Sequence, residues 1–158
     1  MGKFNVKWRT YVNEGGILLP KIVTKGFTTE GYMFYKNINY KLALLNKAEY
    51  LFFHFICEKM DASNNIVHTK ALRTDFLDFA RKNLNLSYKD DTLKKAFAKL
   101  VKVGLIISYD VKSDYTVNPR HVFKGSQTQR KSIIQVVINQ LNKLSNTKSN
   151  FKSALGLN

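Results

Sequence analysis

The sequence predicts an α+β fold: a winged helix-turn-helix domain with an N-terminal β-hairpin extension and a C-terminal helix. Three observations predict it. Two helical periodicities, Leu72-Phe76-Phe79-Ala80 and Leu93-Ala96-Phe97-Leu100-Val103, are separated by a short polar turn. Two short β-type runs, Leu105 to Tyr109 and Tyr115 to Val117, flank a polar tip and end at Asn118-Pro119. Ahead of both, Phe4, Val6, Trp8 and Val12 alternate with Lys3, Asn5, Lys7, Arg9 and Tyr11, the period of a strand.

The elements follow in order. Asn13-Glu14-Gly15-Gly16 is a turn, and Ile17 to Val23 pairs back as a hairpin. Lys25 to Gly31 is a loop. Apolar residues at Phe34, Ile38, Tyr40, Leu42 and Leu44 predict extended chain over residues 32–45. Asn46 opens a helix, with Glu49 three residues on completing a capping box, and Ala48, Leu51, Phe52, Phe55, Ile56 and Met60 at helical spacing. That helix should end near Asp61. Asn64-Asn65 turns the chain into a short Ile66-Val67 strand. Thr69 caps a second helix that stops near Asn83. Leu84 to Lys89 is the turn, and either Ser87 or Asp90 caps the third helix. Gly104 ends it as a left-handed cap. Asp110 to Asp114 forms the wing tip. A last helix runs from about Gln127 to Leu144, with Ile133, Ile134, Val137, Ile138, Leu141 and Leu144 on one face. Its apolar face either packs on its own domain or forms a homodimer interface; both satisfy an amphipathic helix. The Ser-, Asn- and Lys-rich end predicts disorder. The chain thus divides into a basic β extension (1–45), the winged helix (46–125), a C-terminal helix (126–144) and a disordered basic tail (145–158).

Charge narrows the function. The chain of 158 residues has 26 basic and 11 acidic groups, a formal net charge of +15. Residues 120–158 hold 7 basic groups and no acid, whereas residues 46–83 are nearly balanced, with 6 against 5. A neutral helical centre with basic flanks suits a polyanion such as DNA. A single cysteine, Cys57, excludes an internal disulfide and a multi-cysteine metal site. No apolar run reaches transmembrane length, and no signal-peptide core follows Met1, so the expectation is a cytoplasmic protein without a membrane partner.

On the third helix, the face opposite Leu93 and Leu100 holds Asp91, Lys94, Lys95, Ala98 and Lys102, flanked by Thr92 and Lys99. A helix in the major groove needs long donors for base edges or phosphates and short residues that permit close approach. Lys95, Thr92 and Ala98 fit that need. Lys89 and Tyr88 precede the helix as phosphate or base-edge contacts. Lys112 occupies the wing turn, and Arg120, Lys124, Arg130 and Lys131 flank the start of the last helix, where backbone amides also bind phosphate. Asp90 and Asp91 would repel phosphate; their helix-terminal position offsets the partial positive charge there.

The run Ser63-Asn64-Asn65-Ile66, the stretch from Ser87 to Ile107, Val117-Asn118-Pro119, and Lys124-Gly125 with Gln127, Gln129 and Lys131 resemble the RepL family. These are small replication initiation proteins of bacterial plasmids, with relatives in mobile elements and phages. The resemblance covers roughly residues 46–138. It implies binding to double-stranded DNA at a replication origin and recruitment of host replication proteins.

Chemistry is not written into the chain in the same way. The His-apolar-His pair of metal-dependent nicking initiators is absent, and the three histidines are His54, His68 and His121. His54 and Glu58 sit one helical turn apart beside Cys57, yet the surrounding Phe52, Phe53, Phe55 and Ile56 make packing the better explanation. Tyr88, Tyr109 and Tyr115 are nucleophiles only in being tyrosines. No glycine-rich phosphate loop is present, so no cofactor is expected. The expected function is a non-catalytic replication initiator. The alternatives are a transcriptional regulator of the same fold and a DNA-nicking rolling-circle initiator.

Overall fold

The computed structural model describes residues 5–12, 18–25, 32–109 and 114–154, with side chains over 32–35, 37–109 and 115–146. The architecture is α+β, with helices around a shared core and small antiparallel sheets. Strands β1 (Asn5–Val12) and β2 (Leu18–Lys25) pair as the expected hairpin, in register from Asn5↔Lys25 to Val12↔Leu18.

Residues 32–45 depart from expectation. Only β3 (Met33–Phe34) is extended; one turn of 3₁₀ helix (Lys36–Ile38) and α1 (Asn39–Leu42) follow. The apolar residues that suggested period two also contain Phe34, Ile38 and Leu42 at spacing four. That set faces the core, with Ile38 1% exposed, whereas Tyr40 and Leu44 are exposed. Phe34 packs from β3, and Ile38 and Leu42 pack from the turns that follow, where a spacing of four puts both on one face.

Helix α2 (Lys47–Lys59) begins with the full capping box: Glu49 N donates to Asn46 Oδ1 at 3.0 Å, and Asn46 N donates to Glu49 Oε2 at 2.8 Å. It ends two residues before Asp61, with Met60 as its C-cap. Asp61 then organises the turn, its Oδ1 accepting from the amides of Ser63 and Asn65 at 2.8 Å each. Strand β4 (Asn65–Val67) follows, and Thr69 caps α3 (Lys70–Leu84) by accepting from Leu72 N. Asn85, at φ 51, closes α3 in the left-handed conformation that asparagine tolerates.

Helix α4 (Asp90–Lys102) corrects the capping expectation. Its N-cap is Lys89, with no side-chain cap bond; Asp90 is already helical and Ser87 lies outside. Gly104 follows at φ +77, and a Cβ there would also sit 2.9 Å from Lys41 Nζ. Strands β5 (Ile106–Ser108) and β6 (Asp114–Val117) form the expected hairpin, with β6 central in a sheet of order β4-β6-β5. Residues 110–113 of the expected tip, Lys112 included, lie outside the described residues, and Asp114 belongs to β6. A strand that the sequence did not signal, β7 (Val122–Phe123), pairs antiparallel with β3.

The core joins α2, α3 and α4 through Phe52, Phe53, Phe76, Leu93 and Leu100, and the hairpin adds Leu105, Ile106 and Val117. Helix α5 (Gln127–Ala154) seats Ile133 and Val137 on Phe123. Its backbone stays helical ten residues beyond Leu144, against the expected disordered tail. Between Gly125 and Gly156 the chain has neither glycine nor proline, so nothing breaks the helix.

Two asparagines, Asn64 buried and Asn118 half-buried, bracket these elements. Asn64, fully buried at φ 61, donates from Nδ2 to the carbonyls of Val117 (3.1 Å) and Val122 (2.7 Å), and its own carbonyl accepts from Val117 N. Asn118 donates from Nδ2 to the Gly104 carbonyl at 2.9 Å and from its amide to the Leu105 carbonyl. The Asn118-Pro119 pair therefore ties the end of the hairpin to the end of α4.

Candidate nucleic-acid interface

Helix α4 is held at its start, its middle and its end. At the start, Arg73 of α3, 9% exposed, donates from Nε to Asp90 Oδ1 at 2.6 Å. Lys94 reaches back to Asp90 Oδ2 (3.1 Å) and Asp91 Oδ1 (3.0 Å). The hydrogen bond from Arg73, then that from Lys94, holds the Asp90 carboxyl below its ordinary pKa, and Asp91 and Asp90 raise Lys94. Both acidic residues are thereby engaged within the chain, and so is Lys94.

In the middle, Phe97 is clamped between two rings. His68 stacks on it with centroids 3.7 Å apart and planes 6° apart, and Tyr115 of β6 meets it edge-on at 4.7 Å. The contact fixes α4 against the sheet. Burial first, then the Arg73 guanidinium, pushes the His68 pKa down to about 4, with Asp90 opposing. His68 is neutral near pH 7, and its Nε2 lies 3.3 Å from Arg73 Nη1.

The opposite face of α4 is open. Lys89, Thr92, Lys95, Ala98 and Lys102 are exposed, and Lys99 is half-buried. Thr92, Lys95, Lys99 and Lys102 recur at spacings of three and four, so they form one ridge along the helix. No hydrogen bond or ion pair among the described residues engages the ammonium groups of Lys95, Lys99 or Lys102. Ala98 lies beside the ridge and leaves room for a close approach.

The remaining expected contacts separate. Tyr88 is half-buried, its ring stacked on Phe76 with centroids 6.2 Å apart. Lys124 donates to the Glu58 carbonyl (2.8 Å) and the Met60 carbonyl (3.3 Å), closing the C-terminus of α2. Arg130 donates from Nε to the Pro119 carbonyl (2.7 Å) and from Nη2 to the Arg120 carbonyl (2.8 Å), and its guanidinium lies 3.5 Å from the Tyr35 ring centroid. Lys124 and Arg130 thus spend their donors on the fold. Arg120 and Lys131 are exposed.

Lys41 carries no local sequence signal of a site, and α1 brings it to the end of α4. Its Nζ lies 3.5 Å from the Gly104 carbonyl, and burial lowers its pKa. His121 is buried, with Nδ1 3.0 Å from Asn37 Oδ1. Its pKa is pushed down to about 4 by burial, then by Lys41, Arg120 and Arg130. His54, the residue weighed as a metal ligand, is packed by Tyr32, Phe34 and Tyr50, and its Nδ1 is 2.7 Å from Tyr32 Oη. Among the described residues, no three His, Cys, Asp or Glu side chains are placed to hold a metal ion. No helix there is long and apolar enough to cross a membrane.

No family model, characterised protein or solved structure matches the chain.

Proposed function

We propose that this protein is a winged helix-turn-helix DNA-binding protein in which α4 enters the major groove and the β5–β6 hairpin serves as the wing. The observation that carries the reading is the ridge of Thr92, Lys95, Lys99 and Lys102, exposed except at the half-buried Lys99, on a helix whose acidic residues are engaged within the chain. The net charge of +15 supports a polyanionic partner. Its resemblance to the RepL family extends the reading to a cytoplasmic replication initiator that binds an origin and recruits host replication proteins. Lys89 and Lys131 are further phosphate contacts, and Lys112 is the expected contact in the wing turn, outside the described residues. The reading assigns no catalytic residue: the Tyr88 and Tyr115 rings pack on Phe76 and Phe97.

The test is Lys95→Ala, read by fluorescence anisotropy on the target duplex and on random duplex of the same length. The target itself comes from genome-wide footprinting, where a peak over a replication origin supports an initiator and peaks over promoters support a regulator. A lysine that reads a base edge loses about 1–3 kcal/mol on the target and much less on random DNA. No loss on either duplex rejects the placement of α4. Incubation with supercoiled origin DNA and a divalent metal ion adds a second arm. A covalent 5′-phosphotyrosine product would overturn the non-catalytic assignment.

A further inference from the structure

Helix α5 has a second apolar stripe. Ile133, Val137, Gln140 and Leu144 are buried beneath it, whereas Ile134, Ile138 and Leu141 are half-buried or exposed beside them, at spacings of four and three. Together with Val137, Ile107 and Pro119 these three residues wall a groove of about 280 Å³. Gly104, Asn118, Lys41 and Arg120 also line it, so two cations sit beside the apolar wall.

The groove is electropositive. Among the described residues, no carboxylate lines the groove. His121 feels Lys41, Arg120 and Arg130 together, and among the described residues no acidic group opposes them there. No ion pair among the described residues engages Lys41, Arg120 or Arg130. An apolar floor beside uncompensated cations complements an apolar side chain next to a carboxylate. The volume is below the roughly 300 Å³ at which small-molecule and cofactor sites begin, and suits an anchoring side chain. A second copy of this chain is a poor occupant, because two molecules of net charge +15 repel. The groove also lies at the base of the β5–β6 hairpin and the C-terminal end of α4, away from Thr92 and Lys95 in its first half.

We propose that this groove is a docking site for an acidic-apolar segment of a partner protein, with an aliphatic or aromatic side chain against Ile134, Ile138 and Leu141 and a carboxylate between Lys41 and Arg120. The site is independent of duplex binding by α4.

The experiment uses the full chain and a fluorescein-labelled peptide of roughly ten residues alternating Leu and Glu, with its Leu and Gln counterpart as control. Anisotropy should show micromolar binding of the Glu peptide and binding of the Gln peptide weaker by about tenfold. Lys41→Gln should weaken the Glu peptide by about fivefold and Leu141→Glu by at least about tenfold, with thermal midpoints close to the parent's. Lys95→Ala should leave peptide binding unchanged while weakening duplex binding, which separates the two proposals. Equal binding of the two peptides overturns this one, and so does the absence of binding or insensitivity to either groove variant. If Lys41→Gln weakens the duplex complex and duplex displaces the peptide, the groove belongs to the DNA surface and the proposal fails.

Discussion

Asn64 is a fully buried polar side chain, and its replacement should be costly in a particular order. Its Nδ2 holds the carbonyls of Val117 and Val122 at 3.1 and 2.7 Å, in a site with no solvent exposure. Two lost buried bonds at roughly 1–1.5 kcal/mol each make Asn64→Gly less stable by about 2–3 kcal/mol. Asn64→Ala loses the same bonds and also places a Cβ at φ 61, which adds about 1 kcal/mol. The usual preference for alanine over glycine is therefore inverted here. Asn64→Asp keeps the shape but turns an acceptor toward two carbonyls, and should be the worst of the three at pH 7. Equilibrium urea unfolding, with m held constant across the series, gives the values. An aspartate variant as stable as the parent, or an alanine variant more stable than the glycine one, would refute the geometry. Because the bracket joins β4 to the hairpin and to β7, duplex binding should fall only as the folded fraction falls.

Other expected outcomes concern pH, the end of α5 and the clamp on Phe97. His68 and His121 have folded pKa values near 4 against an ordinary 6.5, so the unfolded chain binds more protons between these limits. Stability should therefore rise from pH 4 to 6.5 and level off above, whereas the Asp90 contribution is lost only below its ordinary 3.8. His68→Phe, which keeps a ring on Phe97, should flatten part of that rise; an unchanged slope in urea midpoints against pH counts against a buried neutral imidazole. Ending the chain at Asn142 removes Leu144, which is 7% exposed, and should lower the urea midpoint. Leu144→Ala alone should reproduce most of that loss, about 2 kcal/mol, and a negligible effect would place the stabilisation elsewhere in the removed segment. Phe97→Ala removes the ring between His68 and Tyr115 and should cost about 3–5 kcal/mol in the same assay. A loss under about 1 kcal/mol would mean that α4 is not held there.

Local signals in the sequence carried furthest. The Asn46–Glu49 capping box, the Thr69 cap and the left-handed Gly104 depend on residues within a few positions of each other, and each stands as read. Signals with two consistent periods did not resolve: Phe34, Ile38 and Leu42 satisfy both a strand and a helix, and only burial chooses. Long-range polar bonds had no local trace. Nothing near Asn64 reveals that it holds Val117 and Val122, and nothing near Lys124 reveals that it closes α2. The same limit applies to the candidate interface. The ridge on α4 follows from spacing, whereas the pairing of Asp90 with Arg73, seventeen residues away, and the use of Arg130 as a fold clamp do not.

Salt dependence tests the central claim most directly. The measurement is the duplex association constant of the parent and of the Lys95→Ala/Lys99→Ala/Lys102→Ala variant, across a range of ionic strengths. Each lysine that neutralises a phosphate contributes roughly 0.9 to the slope of log K against log salt. A variant slope shallower by roughly 2–3 is the expected result if these lysines lie against the duplex. Parallel slopes for the two proteins, or a parent that retains no duplex even at low ionic strength, would contradict it.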